Sequence, residues 1–258
     1  MGKKTNFPNR VKPRVFKSFK ELQSYNGPSN RRKSTRYNIL TFLPATLLYQ
    51  FSRVVNCFYL FNAVLQSIPS VSTNDPLFTI IPLAVIVALG IIKELIVEIS
   101  RWLADRKINS KPCKRLTGQG TIEDTTWSSV EVGDILQIFD GETIPADCVL
   151  LRTKKGTNGM CFVQTTELDG ERNLKPLRSS RYLDYYFSRI FIEKQMKFKA
   201  EFIEPCKDLY FYEGQIILSK RSAKTGAEKK KVINVDIKMF MHRGAVLRNS
   251  GLVYAMVT

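Results

Sequence analysis

Two long runs without a charged side chain constrain this chain more than any other feature. Residues 54–69 and residues 77–92 are each 16 residues long and hold no Asp, Glu, Lys or Arg. A helix needs about 20 apolar residues to cross the hydrocarbon core of a bilayer, and apolar segments beside both runs supply the missing length. The pattern predicts two transmembrane helices at about residues 50–70 and 76–99.

The charges around these runs favour a membrane over the alternative, a pair of buried core helices in a soluble protein. Residues 1–53 hold twelve Lys or Arg and one acid, Glu21, which gives +11 of the net charge of +17. The link at residues 70–75 has no Lys or Arg, whereas seven follow the second run by residue 115. Basic residues flank the cytosolic ends of membrane helices. We therefore expect a multi-pass membrane protein whose N-terminus and later segments are cytosolic. The basic charge suits anionic lipid, and no nucleic-acid partner is needed.

Polar side chains interrupt the first run at Asn56, Asn62 and Gln66. Such groups are costly in hydrocarbon unless they bond to another helix or contact a polar ligand. For any single one, a hydrogen bond between helices is the simpler interpretation. Three on one short helix favour a polar groove.

Composition divides the chain into three parts. Residues 1–36 form a basic cytosolic tail, expected to be mostly extended with one short helix around residues 15–25. Residues 37–110 hold the two spans and a helical extension into the cytosol. Residues 111–258 are β-rich, with a helical or irregular insertion at 180–205 and a basic flexible loop at 219–231. Strand-like runs separated by turn residues are 134–139, 148–152, 161–165, 209–218, 231–241, 244–249 and 252–258.

The cysteines and histidine limit the chemistry. The five cysteines form no CxxC pair, and His242 is the only histidine. This composition favours neither a disulfide framework nor a metal centre, and it leaves nucleophile–histidine systems little to work with. A reducing, cytosol-facing environment fits it better.

Two similar tetrapeptides stand out in the β-rich part: "DGET" at residues 140–143 and "DGER" at residues 169–172. Asp-Gly is a common tight-turn dipeptide, because Gly adopts positive φ freely and Asp bonds its own backbone. Either stretch alone predicts only a turn between strands.

Longer segments decide between them. "EVGDILQI", "GETIPADCVLL", "TTELDGERNLK" and "RGAVLRNSGLVYAMVT" resemble, in the family's order, the actuator domain of P-type ATPases. "YNILTFLPATLLYQFSRVVNCFYL", "LQSIPSVS" and the "NLK" after "DGER" resemble the type IV, lipid-flipping branch rather than the cation pumps. The resemblance runs from about residue 34 to residue 258. It implies an α+β membrane protein, in which a transmembrane helical hairpin precedes an actuator domain with a distorted double-stranded β-helix, jelly-roll-like fold.

The resemblance also assigns the two tetrapeptides. "DGET" occupies the family's structural "G-x-x-I-P-A-D" hairpin, whereas "DGER" is the loop that promotes hydrolysis of the aspartyl phosphate. By resemblance, Glu171 is the base for the attacking water, Gly170 admits the phosphate closely and Asp169 shapes the turn. Arg172 departs from the family's Thr. It could pair with phosphoryl oxygens, weaken the base or displace the water.

The complete machine implied by the resemblance uses ATP and Mg²⁺ to move a phospholipid from the exoplasmic to the cytoplasmic leaflet. Gln66 and Ser67 lie where the family selects head groups, and Asn56 lies near the other end of the lipid path. A two-span accessory subunit and the phosphorylation domain of the same protein are the implied partners.

The phosphorylated "D-K-T-G-T" and a nucleotide-binding domain are absent from the 258 residues. We therefore expect this chain to bind neither cofactor and not to be catalytically competent alone. Two alternatives remain: a truncated, non-catalytic membrane protein that binds lipids or partners, and a fragment of a cation-transporting P-type ATPase, which "LQSIP" and "NLK" disfavour.

Overall fold

The computed structural model describes residues 13–16, 29–68, 75–117, 120–154, 158–193, 198–203, 208–221 and 228–258. The chain divides into two compact units. One consists of Met1–Arg31 and Ser110–Thr258, and the other of Arg32–Asn109. The first holds all the described strands, and the second holds the apolar helices.

The helical unit consists of α1 (Ile39–Phe51), α2 (Val54–Gln66) and α3 (Leu77–Asn109). Among the described residues, α3 alone is both long and apolar enough to cross a membrane. Its 33 residues form one continuous helix, so residues 93–109 are helical, as their spacing predicts. The first uncharged run differs from a single helix at 50–70. Instead, the helix breaks at Ser52 and Arg53. The two helices on either side, α1 and α2, have 13 residues each, and α2 begins at Val54.

The β-rich unit contains the remaining elements. Its short helices are α4 (Thr166–Asp169) and α5 (Arg181–Glu193). Its described strands are β1 (Pro13–Phe16), β2 (Pro112–Leu116), β3 (Ile122–Thr126), β4 (Ile135–Phe139), β5 (Cys148–Thr153), β6 (Met160–Gln164), β7 (Leu174–Arg178), β8 (Phe198–Ile203), β9 (Glu213–Arg221), β10 (Glu228–Asp236), β11 (Phe240–Met241), β12 (Val246–Arg248) and β13 (Leu252–Val257).

These strands form three antiparallel sheets. A six-stranded sheet has the order β11-β5-β13-β4-β2-β3, a four-stranded sheet the order β1-β8-β9-β10, and a three-stranded sheet the order β12-β6-β7. Strands β4 and β5 lie inside the largest sheet and are rich in β-branched and leucine residues that suit a strand buried on both faces.

Two hydrophobic cores lie on opposite faces of the six-stranded sheet. Because side chains alternate along a strand, Ile135 packs into the core shared with α5 and the four-stranded sheet, and the next residue, Leu136, packs into the core shared with the three-stranded sheet. Val149 and Leu150 alternate in the same way. The second core fixes β6 and β7, the two strands that carry "DGER" between them.

Several predicted elements are confirmed and others are wrong. Strands are found within the predicted runs at 134–139, 148–152, 161–165, 244–249 and 252–258. The tail helix at 15–25 is wrong where the structure describes it, because Val15 and Phe16 belong to β1, which pairs with β8. Residues 180–205 hold α5 but also strand β8, and β9 and β10 extend into both ends of the predicted basic loop. Pro69 and most of the link at 70–75 lie outside the described residues.

Candidate functional site

The "DGER" loop connects β6 to β7, which pair antiparallel up to Gln164 opposite Leu174. Helix α4 forms the first half of the connection and ends at Asp169. Gly170 then takes φ +76°, the left-handed region that glycine reaches without strain. The positive φ, rather than a close neighbour, explains glycine here, since an added Cβ would meet no atom within 4 Å.

Asp169 organises the loop. Its carboxylate accepts hydrogen bonds from Thr165 Oγ1, at 3.0 Å from each oxygen, and from the backbone N–H of Glu171 at 3.0 Å. Lys175 is the second residue of β7, and its Nζ forms an ion pair with the same carboxylate. Three donors from both sides of the turn therefore converge on one side chain and hold the turn in a single form.

The electrostatics of Asp169 follow from these donors. The Lys175 hydrogen bond, followed by the Glu171 backbone bond, lowers the pKa of Asp169 from 3.8 to about 2. The Asp169 hydrogen bond in turn raises the pKa of Lys175 above its ordinary value. Both groups are charged at neutral pH, so the pair is an ion pair under all ordinary conditions.

Glu171 lies at the surface of the turn, with its side chain 54% exposed. Lys175 Nζ is 3.2 Å from Glu171 Oε2, and the Glu171 main-chain carbonyl accepts a bond from Thr166 Oγ1 at 3.0 Å. The backbone of Glu171 is thus fixed at both its N–H and its C=O, while its carboxylate remains open to solvent. Such an arrangement presents a carboxylate outward on a rigid support.

Arg172 is exposed and forms no hydrogen bond or ion pair with any residue that the structure describes. The Arg172 guanidinium does not pair with the Glu171 carboxylate. The described ionic partner of Glu171 is Lys175. The loop conformation therefore does not depend on having Arg at this position.

A cavity of about 300 Å³ lies beside the loop. Asp169, Glu171 and Lys175 line its polar side. Thr165 and His242 also line the cavity. Its remaining walls are apolar and aromatic: Val163, Leu168, Leu177, Leu209, Tyr210, Ile237 and Phe240. The Lys175 ammonium also lies 5.3 Å from the centre of the Tyr210 ring. Sequence reasoning missed Lys175 and Thr165 as parts of the site. Local spacing gave no signal for Lys175, because residues 171–175 are not helical and Lys175 belongs to β7.

The other tetrapeptide, "DGET", is a structural turn, as predicted. Asp140 Oδ1 accepts a bond from the Ser250 backbone N–H at 3.1 Å, and Glu142 Oε2 accepts one from the Phe139 backbone N–H at 2.8 Å. Gly141 takes φ +83° and donates to the Leu247 carbonyl. The predicted hairpin is wrong, because β13 lies between β4 and β5, so the two strands that the turn connects do not pair. Both carboxylates accept backbone bonds that hold the turn, which distinguishes it from "DGER".

The predicted substrate-binding residues lie in the helical unit. Asn56 is 3% exposed and donates to the Gln50 carbonyl at 2.8 Å, with the Gln50 side-chain oxygen 3.4 Å away. At the other end of α2, Gln66 Oε1 accepts a bond from Thr79 Oγ1 of α3 at 2.6 Å, and Ser67 Oγ donates to the Ala63 carbonyl. Ten residues of helix, about 15 Å, separate Asn56 from Gln66, so α2 does not bring them together.

No group of three or more His, Cys, Asp or Glu side chains in the described ranges is placed to hold a metal ion. At the loop itself, both carboxylates already pair with Lys175. The "DGER" loop therefore does not fit a Mg²⁺ site of its own, and its chemistry rests on its side chains.

A glycine turn held by Asp169 in a β-rich unit, in a chain that also has an apolar helical unit, is what the resemblance to an actuator domain predicts. Sequence comparison agrees. Residues 15–80 match the phospholipid-translocating ATPase N-terminal family, and residues 107–200 match the P-type ATPase actuator domain family.

Individual relatives cover most of the chain. Phospholipid-transporting ATPase IC of Mus musculus is 32% identical over 232 residues, 89% of this chain and 17% of that protein. Phospholipid-transporting ATPase DRS2 of Saccharomyces cerevisiae is 31% identical over 235 residues, 91% of this chain and 16% of that protein. The chain thus belongs to the type IV P-type ATPase family, and it spans about one sixth of the length of these relatives.

Proposed function

We propose that this chain is the N-terminal part of an ATP-driven phospholipid flippase, with two transmembrane helices and a cytosolic actuator domain whose "DGER" loop promotes hydrolysis of an aspartyl phosphate. The phosphorylated aspartate, ATP and Mg²⁺ belong to other parts of such an enzyme. Lipid moves from the exoplasmic to the cytoplasmic leaflet. A two-span accessory subunit and the phosphorylation domain of the same protein are the proposed partners.

One observation carries the catalytic part of the proposal. Asp169 binds Thr165, Lys175 and the Glu171 backbone at once, while the Glu171 carboxylate faces solvent. In this proposal Asp169 holds the loop in position, and the Glu171 carboxylate acts as the base. When the loop meets the phosphoryl group, the Glu171 carboxylate accepts a proton from a water aligned with phosphorus, and Gly170 adds no side chain between loop and phosphate.

Lys175 has a supporting role in this proposal. Its ammonium lies 3.2 Å from Glu171 Oε2, so it restrains the base before the phosphoryl group arrives. The exposed guanidinium of Arg172 is free to reach phosphoryl oxygens or to obstruct the water. The first effect would stabilise the bound phosphate, and the second would slow hydrolysis.

A chimera tests the catalytic role. Residues 34–258 replace the matching region of the yeast phospholipid-transporting ATPase DRS2, and phosphoenzyme formed from radiolabelled ATP is followed after a chase with unlabelled ATP. Glu171→Gln should slow its decay by at least about tenfold, since a general base contributes about 10² or more. Glu142→Gln, in the structural turn, is the matched control and should decay like the parent chimera. Equal decay of the two variants would contradict the role of Glu171.

The lipid path is a second part of the proposal. The proposal assigns head-group contact near the end of α2 to Gln66 and Ser67. Gln66 Oε1 accepts a bond from Thr79 of α3, and Ser67 Oγ donates to the Ala63 carbonyl. Gln66→Ala should alter which labelled phospholipid the chimera transports and leave phosphoenzyme formation unchanged. Unaltered transport of every lipid tested would contradict a selective role. Asn56, which is buried against Gln50, contributes to the path indirectly by holding α2 in place.

A non-catalytic membrane protein is the second candidate, and Arg172 in place of the family's Thr favours it. The same chimera separates the two. If the parent chimera forms phosphoenzyme but its decay does not depend on Glu171, the actuator loop is inactive and a binding role gains support.

A further inference from the structure

The segment ahead of α1 is held along one face of α3. The backbone of Arg32 donates to Asn109 Oδ1 at 2.8 Å, and Asn109 Nδ2 donates back to the Arg32 carbonyl at 2.8 Å. Ser34 bonds to Asp105, and the Arg36 N–H donates to Glu98 Oε2 at 3.1 Å. Positions 98, 105 and 109 share a helix face. We call these contacts between residues 32–36 and α3 the clasp.

The centre of the clasp is a buried carboxylate. Asp105 is 6% exposed, yet both of its oxygens are satisfied. Ser34 donates to it twice, through its backbone N–H to Oδ2 and through Oγ to Oδ1, each at 2.6 Å. Arg32 Nε lies 3.4 Å from Oδ1. A buried charge is costly without partners, so Asp105 depends on residues 32–36 remaining in place.

Asp105 is ionised in the clasp. Burial raises the pKa of Asp105, but the side-chain and backbone bonds from Ser34 and the charge of Arg32 together lower it by more. The pKa therefore lies below the ordinary value of 3.8. At neutral pH a negative charge therefore sits against the Ser34 hydroxyl.

Ser34 itself is exposed to solvent although its hydroxyl bonds to Asp105. Three cations precede it in sequence: Arg31, Arg32 and Lys33. An exposed serine after a run of cations has the charge pattern that an acidic peptide groove selects, because specificity of this kind rests on charge complementarity. Within residues 29–36, Ser29 lacks such cations before it.

We propose that Ser34 is a phosphorylation site for a basophilic protein kinase and that its phosphorylation opens the clasp. ATP is the second substrate of the kinase and the donor of the phosphoryl group. A bond forms between Ser34 Oγ and the γ-phosphorus, the bond from that phosphorus to the β,γ-bridging oxygen breaks, and ADP leaves. The hydroxyl proton passes to the catalytic carboxylate of the kinase.

The consequence follows from the donor that is lost. Phosphorylated Oγ carries no proton to donate to Asp105 Oδ1, and about 1.5 to 2 negative charges are added beside a buried carboxylate. Like charges at this distance repel, so residues 32–36 leave the face of α3. The proposal concerns regulation and goes beyond the ATPase role. In a cell it requires only that this segment faces the cytosol.

The test uses the full chain in detergent micelles, the catalytic subunit of a cyclic-AMP-dependent protein kinase and radiolabelled ATP. Site-resolved mass spectrometry should find phosphate on Ser34. Arg31→Gln, which leaves the Ser34–Asp105 bonds intact, should cut the labelling at least tenfold, whereas Ser29→Ala should leave it unchanged. Absence of phosphate on Ser34 in the full chain, while a free peptide of residues 29–36 is labelled, would overturn the proposal.

Opening is measured by hydrogen exchange. In the phosphorylated chain the amides of Ser34 and Arg36 should exchange at least tenfold faster, because both donate to α3 in the clasp. Asp105→Asn provides a second readout, since it removes the charge without removing the shape. In that variant phosphorylation should accelerate exchange markedly less. Unchanged or slower exchange on phosphorylation, as when the phosphate is captured by Arg32, would also overturn the proposal.

Discussion

The side-chain amide of Asn56 donates a hydrogen bond to the main-chain carbonyl of Gln50, 2.8 Å away, across the break between α1 and α2. Six residues separate the two, so the bond closes the interruption at Ser52 and Arg53. Carbonyls at a helix end lack the usual i+4 backbone partner. The Gln50 carbonyl accepts a longer bond from the Arg53 backbone N–H, 3.3 Å away, and Asn56 adds a second, shorter one. The break is therefore a satisfied structural feature rather than a frayed end.

Replacing Asn56 tests this bond. Asn56→Leu should lower the free energy of unfolding in detergent by about 0.5–1.5 kcal/mol, because the Gln50 carbonyl keeps only its longer bond from the Arg53 N–H. Asn62→Leu on the same helix is the control, since Asn62 makes no hydrogen bond with the described residues. Thermal unfolding of both variants in the same micelles measures the difference. Equal losses would mean that the Asn56 bond has no special weight.

Gly90 and Gln50 should be energetically coupled. A Cβ at Gly90 would lie 2.1 Å from Gln50 Nε2, and the Gln50 side chain is confined because the residue is only 3% exposed. Gly90→Ala should cost about 1–3 kcal/mol by overpacking. A double-mutant cycle with Gln50→Ala should recover most of that cost, since the smaller side chain leaves room for the methyl group. Strict additivity would show that the two positions do not meet.

The Asp169–Lys175 pair should show a defined acid limit. Because the pKa of Asp169 falls from 3.8 to about 2 on folding, its ionised form stabilises the fold fully above pH 3.8. That contribution is lost as the pH falls through about 2. Carbon NMR of labelled aspartate should follow this titration directly. Lys175→Met should move the pKa of Asp169 upward, whereas Lys111→Met, whose ammonium packs on Trp127, should not.

Arg172→Thr should leave stability within about 0.5 kcal/mol of the parent, since the exposed side chain has no partner in the described ranges. In the chimera it should speed phosphoenzyme decay if the guanidinium obstructs the attacking water. Arg178→Thr, an exposed arginine on β7, controls for the loss of a nearby positive charge. Decay that is unchanged by Arg172→Thr would remove Arg172 from the dephosphorylation step.

Central strands were predictable from the sequence because each carries its own signal. Strands β4 and β5 have runs of apolar residues that only a doubly covered strand buries. The strands that were missed lie at or beside sheet edges. The edge strand β3 reads "IEDTT" and the edge strand β7 reads "LKPLR", with a proline that an edge tolerates. Their strand character comes from a partner, which local sequence does not contain.

In the site, too, some features follow from local sequence and others depend on residues that folding brings together. Resemblance identified the "DGER" loop, and the turn at Gly170 follows from residue type alone. The convergence of Thr165 and Lys175 on Asp169 could not be predicted, because it depends on the register that brings the start of β7 beside the end of β6. The break between α1 and α2 is likewise spanned by a bond from Asn56 to a residue six positions earlier, which residue types alone do not predict.

Strand β1 has a consequence for how this protein is produced. It pairs with β8 from Pro13 opposite Ile203 to Phe16 opposite Ala200, and so occupies what would otherwise be a bare edge of the four-stranded sheet. Unpaired edges recruit strands from other molecules. A version of the chain that starts after Phe16 would retain the whole "DGER" loop and yet be prone to self-association. Residues 13–16 thus cover a sheet edge that would otherwise be open to pairing.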